Sequence, residues 1–140
     1  MNLSLCVLWL AACVSLSLAL GRKQRVSVTG EVFCPSDPSK AYNIKVKLVD
    51  EDSGPDPDDT MAEGRTDNQG RFQLSGEESE WSDIDPRLKI YHDCNDGLKP
   101  CQRKFKFTIP DRYINKGTFD LGRINLETKM HDQERDCIHK

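Results

Sequence analysis

From residue 22 onward the chain alternates between apolar and polar positions with a period of two. Val26, Val28 and Val32 alternate with Ser27, Thr29 and Glu31; Ile44, Val46 and Leu48 are interleaved with Lys45 and Lys47. The pattern returns at Phe72 and Leu74, at Leu88 and Ile90, and at Phe105, Phe107 and Ile109. Successive side chains on a strand point to opposite faces, so each stretch predicts a strand with one buried side. Phe119 and Leu121 have one parity and Ile124 and Leu126 the other, which predicts a bulge at the intervening Gly122. Thr60–Asp67 is the weakest strand candidate, and Asp67-Asn68-Gln69-Gly70 predicts a tight turn after it. A short helix is expected over 77–84, with Trp81 and Ile84 facing inward. All seven prolines fall between or at the ends of the apolar runs, where a missing N–H breaks no central ladder. About seven short strands in a chain of this size predict an all-β sandwich.

The first twenty residues, MNLSLCVLWLAACVSLSLAL, carry no charged side chain and end on small residues before Arg22 and Lys23. They read as a secretory signal peptide spanning residues 1–21, with one domain over 22–140. The competing reading is an uncleaved membrane anchor, at the short limit for a spanning helix and interrupted by Ser and Cys. Nothing downstream is apolar enough to span a bilayer. Removing the leader takes Cys6 and Cys13 with it and leaves Cys34, Cys94, Cys101 and Cys137. An even set in a secreted domain implies two disulfides, with three connectivities open.

The net charge of −3 hides a strong segregation. Residues 50–85 hold 13 acidic and 2 basic side chains, whereas 22–49 and 86–116 are net basic, by 4 and 5 charges. Where the charges fall therefore says more about partners than the total does.

Several stretches together carry a resemblance: VSVTGEVFC, the alternating IKVKLVDED, the turn TDNQGRFQLSG, LKIYHDCNDGLKPCQRK and the late RDCIH. They resemble the transthyretin-like family of secreted nematode proteins, across nearly the whole of residues 22–140. The resemblance implies a prealbumin-type sandwich of seven or eight strands, an extracellular or cell-surface setting, and binding in place of catalysis. It implies no defined small-molecule ligand and no cofactor.

HDCNDGLKPCQRK gathers a histidine and two cysteines, and three chemistries compete for it. Zinc would need a fourth ligand and free thiols, which an oxidising compartment removes. Redox catalysis usually spaces its cysteines by two residues, not six. The third reading is a staple. His92 shares parity with Leu88 and Ile90, so a packed imidazole is expected. Cys94 is expected to pair with Cys101, closing a short loop worth about 2.5 kcal/mol in the chain-entropy model. Cys34 would then pair with Cys137, closing a loop worth roughly 4.7 kcal/mol.

Hydrolysis of the 5-hydroxyisourate type is expected to be absent. The chain closes on Asp136-Cys137-Ile138-His139-Lys140 instead of that class's Tyr-Arg-Gly-Ser, and His92, His131 and His139 are scattered without an evident base or nucleophile partner. DEDSGPDPDD, residues 50–59, is rich in hard oxygen ligands but lacks EF-hand order, and reads as a stiff solvated acidic loop with no metal. The positive candidate is a basic sheet face. Alternation sends Lys45, Lys47, Lys89, Lys104 and Lys106 away from the core, with Arg87 at the start of its strand. The resemblance places the second, fifth and sixth strands side by side, which would merge these six into one surface beside Tyr91. Such a surface suits anionic phospholipid or an acidic receptor patch. Nucleic acid is not expected, because the aromatics between these lysines point inward. A carrier of a small hydrophobic ligand is the alternative, and would need a tetramer channel.

Overall fold

A computed structural model describes residues 21–51, 58–131 and 133–138. The alternation becomes eight strands: β1 Arg22–Phe33, β2 Lys45–Asp50, β3 Asp59–Arg65, β4 Arg71–Glu80, β5 Pro86–His92, β6 Gln102–Thr108, β7 Phe119–Asn125 and β8 Glu134–Asp136. They form a three-stranded sheet in the order β4-β1-β7 and a five-stranded sheet in the order β3-β2-β5-β6-β8. The two inner faces meet in one core. Val26, Val28, Val32, Phe72 and Leu74 face it from the first sheet, and Val46, Leu48, Leu88, Ile90 and Phe105 from the second.

Close packing explains two glycines. In the β1–β4 ladder Gly30 lies opposite Phe72, whose ring would stand 2.7 Å from any Cβ added there. Gly70 has φ +75°, and a Cβ there would collide with the Val32 carbonyl oxygen. Its turn is fastened by Asp67, whose Oδ1 accepts the N–H of Gln69 and of Arg71 at 2.9 Å each. These two backbone bonds hold the Asp67 carboxyl below its ordinary pKa. Gly122 has φ +80°, and the parallel β1–β7 register slips at the point it occupies: Thr29 pairs with Asp120 and Glu31 with Arg123. The expected bulge is there.

The helix expected over 77–84 is not. β4 continues to Glu80, paired residue for residue with the start of β1, and Trp81 is 68% exposed. Ile84 alone turns inward. Tertiary pairing overrides the local signal because buried Gln24 on β1 reaches across to this segment. Its amide donates to the Ser82 carbonyl at 2.8 Å, and its Oε1 accepts the Ile84 N–H at 3.0 Å. Among the described residues no helix is long and apolar enough to cross a membrane.

Candidate functional site

β2, β5 and β6 do lie side by side, so the six predicted basic residues share the outer face of the five-stranded sheet. The register stacks them in rows. Lys47, Lys89 and Lys106 are directly opposite one another across three strands; Lys45, Tyr91 and Lys104 form the next row. Arg87 begins a third row, between Val49 and Thr108. Like charges directly opposite destabilise a sheet, so this arrangement requires counter-charge.

The acidic segment supplies much of it. Lys45 pairs with Glu63 at 3.1 Å, Lys89 with Asp58 at 2.6 Å, and Lys106 with Glu51 at 2.9 Å. Arg87 bridges Glu51 at 2.9 Å and Asp85 at 3.1 Å. On the far edge Lys104 pairs with Glu134 at 2.5 Å. The Lys106 ammonium and the Arg87 guanidinium hold the Glu51 carboxyl below its usual range, against the opposing effect of burial, and Glu51 in turn raises Lys106. Lys104 lowers Glu134 in the same way. Tyr91 lies under this cover at 2% exposure; burial and then the surrounding carboxylates, Asp136 first, push its hydroxyl up to about 12. The face is thus a lattice of both signs, where the sequence alone suggests a basic patch.

The staple is rearranged. Cys34 joins Cys94 and Cys101 joins Cys137, which overturns the expected pairing of Cys94 with Cys101 and of Cys34 with Cys137. The β5–β6 ladder ends at His92 opposite Arg103. Cys94 stays on the inward parity, fully buried, and meets Cys34 at the end of β1 in the other sheet. The first bridge therefore ties sheet to sheet; the second ties the start of β6 to the end of β8.

His92 is fully buried, edge-on to Phe105 with ring centroids 4.6 Å apart. Its Nδ1 accepts the Cys94 N–H at 3.0 Å. Burial, reinforced by nearby Arg103, lowers its pKa to about 3. An imidazole so placed is part of the core, and both neighbouring sulfurs are oxidised, so this stretch offers no thiolate–imidazole set for zinc. His131 is exposed in a turn, and His139 lies outside the described residues.

Two features escape the sequence reading. Arg103, which looks like one more surface cation in QRK, is 3% exposed. Its Nη1 donates to the carbonyls of Cys94 at 2.9 Å and Leu126 at 2.8 Å; its Nη2 donates to the Thr128 carbonyl at 2.7 Å and to Gln133 Oε1 at 2.9 Å. The inward parity shared with Phe105 was the available signal. Beside it Asp96, 5% exposed, is held by Arg135 at 2.7 Å. The second feature is a carboxylate cluster of Asp50, Asp59, Glu78 and Glu80, each offering an oxygen within 4.8 Å of the others. Burial, a hydrogen bond with Asp50, and the charges of Asp59 and Glu80 raise Glu78 to about 8. Residues 52–57 of the acidic stretch lie outside the described residues, but its two ends, Asp50 and Asp59, are joined in the β2–β3 ladder.

With this geometry in hand, comparison with known proteins gives a consistent answer. The family model described as "TTR-52: Transthyretin-like family" matches residues 29–110. Transthyretin-like protein 5 of Caenorhabditis elegans is 49% identical over 125 residues, covering 86% of this chain and 88% of its own. Transthyretin-like protein 33 of the same nematode is 47% identical, covering 84% of each chain. Transthyretin-like protein 1, also from C. elegans, is 34% identical and spans 100% of this chain and 96% of its own. The two-sheet sandwich, the matched segment and these relatives together place the chain in the transthyretin-like family.

Proposed function

We propose that this protein is a secreted, non-enzymatic binding or bridging module that engages an anionic surface, such as phospholipid headgroups or an acidic receptor patch, through the outer face of its five-stranded sheet. The observation carrying this reading is the register that sets Lys47, Lys89 and Lys106 in one row and Lys45 and Lys104 in the next. Their counter-ions Glu63 and Glu134 stand on the edge strands β3 and β8, where an incoming anion can replace them. The two glutamates are the exposed members of these pairs and the lysines half-buried; surface ion pairs are each worth about 0–1 kcal/mol, so exchange at the glutamate side costs little per pair, and a polyanion gains several contacts at once. Secretion is supported by the apolar leader at residues 1–21 and by two disulfides, which persist in oxidising compartments.

The test is co-flotation with vesicles carrying an anionic phospholipid, against neutral vesicles, over a range of salt. K45Q/K89Q/K104Q, which removes three cations without setting new carboxylates against Glu63, Asp58 and Glu134, should weaken anionic-vesicle binding, with the fold checked by its melting curve. E63Q/E134Q, which releases two cations, should strengthen it. Indifference of the wild type to anionic vesicles at low salt, where charge is least screened, would remove the lipid form of this reading. The receptor form would then be tested by the same variants in an extracellular pull-down.

A further inference from the structure

At one end of the sandwich the inner face turns acidic. On β4 the core parity of Phe72, Leu74 and Gly76 continues to Glu78 and Glu80. On β2 the parity of Val46 and Leu48 continues to Asp50, which is 2% exposed. Asp50 lies directly opposite Asp59 in the β2–β3 ladder. Here the edge strands of the two sheets come together: at Gly76 of β4 an added Cβ would stand 2.5 Å from the Met61 carbonyl oxygen of β3. Four carboxylates from three strands are thus pressed into one place.

The partners of Asp50 and Glu78 do not account for them. Asp50 Oδ1 accepts the Asp85 N–H at 2.8 Å, but among the described residues its buried Oδ2 has no donor, and neither has the buried Oε2 of Glu78. Glu78 is within hydrogen-bonding reach of Asp50, yet two ionised carboxylates offer no donor between them. Only a proton or a cation can join them. An unpartnered buried charge is costly, and a like-charged pair set directly opposite adds to that cost.

We propose that Asp50, Asp59, Glu78 and Glu80 bind a hard divalent cation of the calcium class. The ligand atoms fit in type and spacing. All four are carboxylate oxygens, which hard cations select, and no thiolate or imidazole belongs to the set. A calcium ion holds its oxygens at about 2.3–2.6 Å, so atoms on opposite sides of its shell stand at most about 5 Å apart. Four oxygens mutually within 4.8 Å meet that limit. Calcium is preferred over magnesium because it accepts irregular geometry and bidentate carboxylates, whereas magnesium demands a near-ideal octahedron and retains water. Asp50 is the anchor: its Oδ1 is tied to the backbone N–H of residue 85, and its buried Oδ2 has no partner among the described residues.

The experiment starts from the full chain expressed for secretion and stripped with chelator. Thermal melting is followed near neutral pH while calcium, magnesium or sodium chloride is added at matched ionic strength. Calcium should raise the melting temperature saturably, with half-effect at about 0.1–1 mM, the range of extracellular calcium modules. At tenfold excess over that the rise should be about 5 °C. Terbium supplies a second readout. Trp81, the only tryptophan of residues 21–140, directly follows Glu80 and should sensitise terbium luminescence that calcium competes away. E78Q and D50N should lose both responses. E78Q in chelator should melt no lower than wild type, because its amide can donate to Asp50 as the protonated Glu78 carboxyl does near neutral pH; its lost response then cannot be a lost fold. A calcium effect equalled by sodium chloride, an effect that survives in E78Q/D50N, or no effect up to about 10 mM would overturn the site and leave a shared proton as the occupant.

Discussion

His92 should make this protein's stability fall in mild acid. Buried and neutral in the fold, it is held at a pKa of about 3 against an ordinary 6.5. The unfolded chain takes up a proton on this imidazole below pH ~6.5, whereas the folded chain refuses it until about pH 3. The His92 contribution is therefore complete above pH ~6.5 and is lost progressively as pH falls toward 3. Each pH unit inside that window is worth about 1.4 kcal/mol, so two units of acidification cost about 2.7 kcal/mol and the whole window about 5 kcal/mol. Small domains have only about 5–15 kcal/mol in all, so this one residue can carry the acid transition. The test compares guanidinium unfolding of wild type and H92N, disulfides intact, from pH 7 to 3.5. Asparagine keeps an acceptor for the Cys94 N–H that His92 Nδ1 now receives at 3.0 Å. It loses the ring packed on Phe105, so the variant should start about 1–3 kcal/mol less stable at pH 7. Its curve should then be flatter, and the wild-type advantage should shrink or reverse by pH 4. Glu51, Asp67, Glu127 and Glu134, all lowered in the fold, also lose stability in acid, but they are common to both proteins and cancel in the difference. Parallel curves would refute the assignment of a titrating, buried His92.

Non-reducing peptide mapping should recover Cys34 with Cys94 and Cys101 with Cys137; recovery of Cys94 with Cys101 would refute the inter-sheet staple. The 60-residue separation of the first pair gives about 4 kcal/mol in the chain-entropy model, so C34A/C94A should unfold at a markedly lower denaturant midpoint. R103A strips four acceptors of their donor and should cost at least about 3 kcal/mol by denaturant unfolding. R103K should recover little, because an ammonium cannot span the same fork. G70A places a side chain at φ +75° against the Val32 carbonyl and should lower the melting temperature by more than Q73A at an exposed position on the following strand.

Period-two alternation made most of the fold legible, because one buried face per strand leaves its mark in every second residue. Parity also foretold the bulge at Gly122 and the inward His92. It failed where local pattern and tertiary pairing disagree. EESEWSDI reads as a helical turn, yet in the fold its first residues extend β4, since the start of β1 is there to pair with them. The disulfides failed for a related reason. Loop length argued for Cys94 with Cys101, but Cys94 continues the inward parity of Leu88, Ile90 and His92 and so belongs to the core, where Cys34 waits on the opposite sheet. The basic face was legible as a set of cations and illegible as a lattice, because its counter-ions come from β3, β8 and the connection after β2, far away in sequence.

The same three-dimensional folding accounts for the charge segregation. Residues 50–85 bring 13 carboxylates to a chain whose neighbouring segments are basic. Glu51, Asp58, Glu63 and Asp85 are spent on the outer face against Lys45, Arg87, Lys89 and Lys106, and Asp83 meets Arg22 at 2.9 Å. Alternation decides which acids go there. Glu51 and Asp58 point outward to cations; their immediate neighbours Asp50 and Asp59 face each other across the ladder and join Glu78 and Glu80. One short connection therefore feeds two sites of opposite need. Outside, its carboxylates quench lysines; inside, they crowd Glu78, and burial and its acidic neighbours drive that carboxyl toward keeping its proton. A chain that needed acids only to neutralise its basic face would gain nothing from placing Asp50 at 2% exposure with an oxygen that has no partner among the described residues. That oxygen is the reason the acidic segment demands more than an account of surface charge.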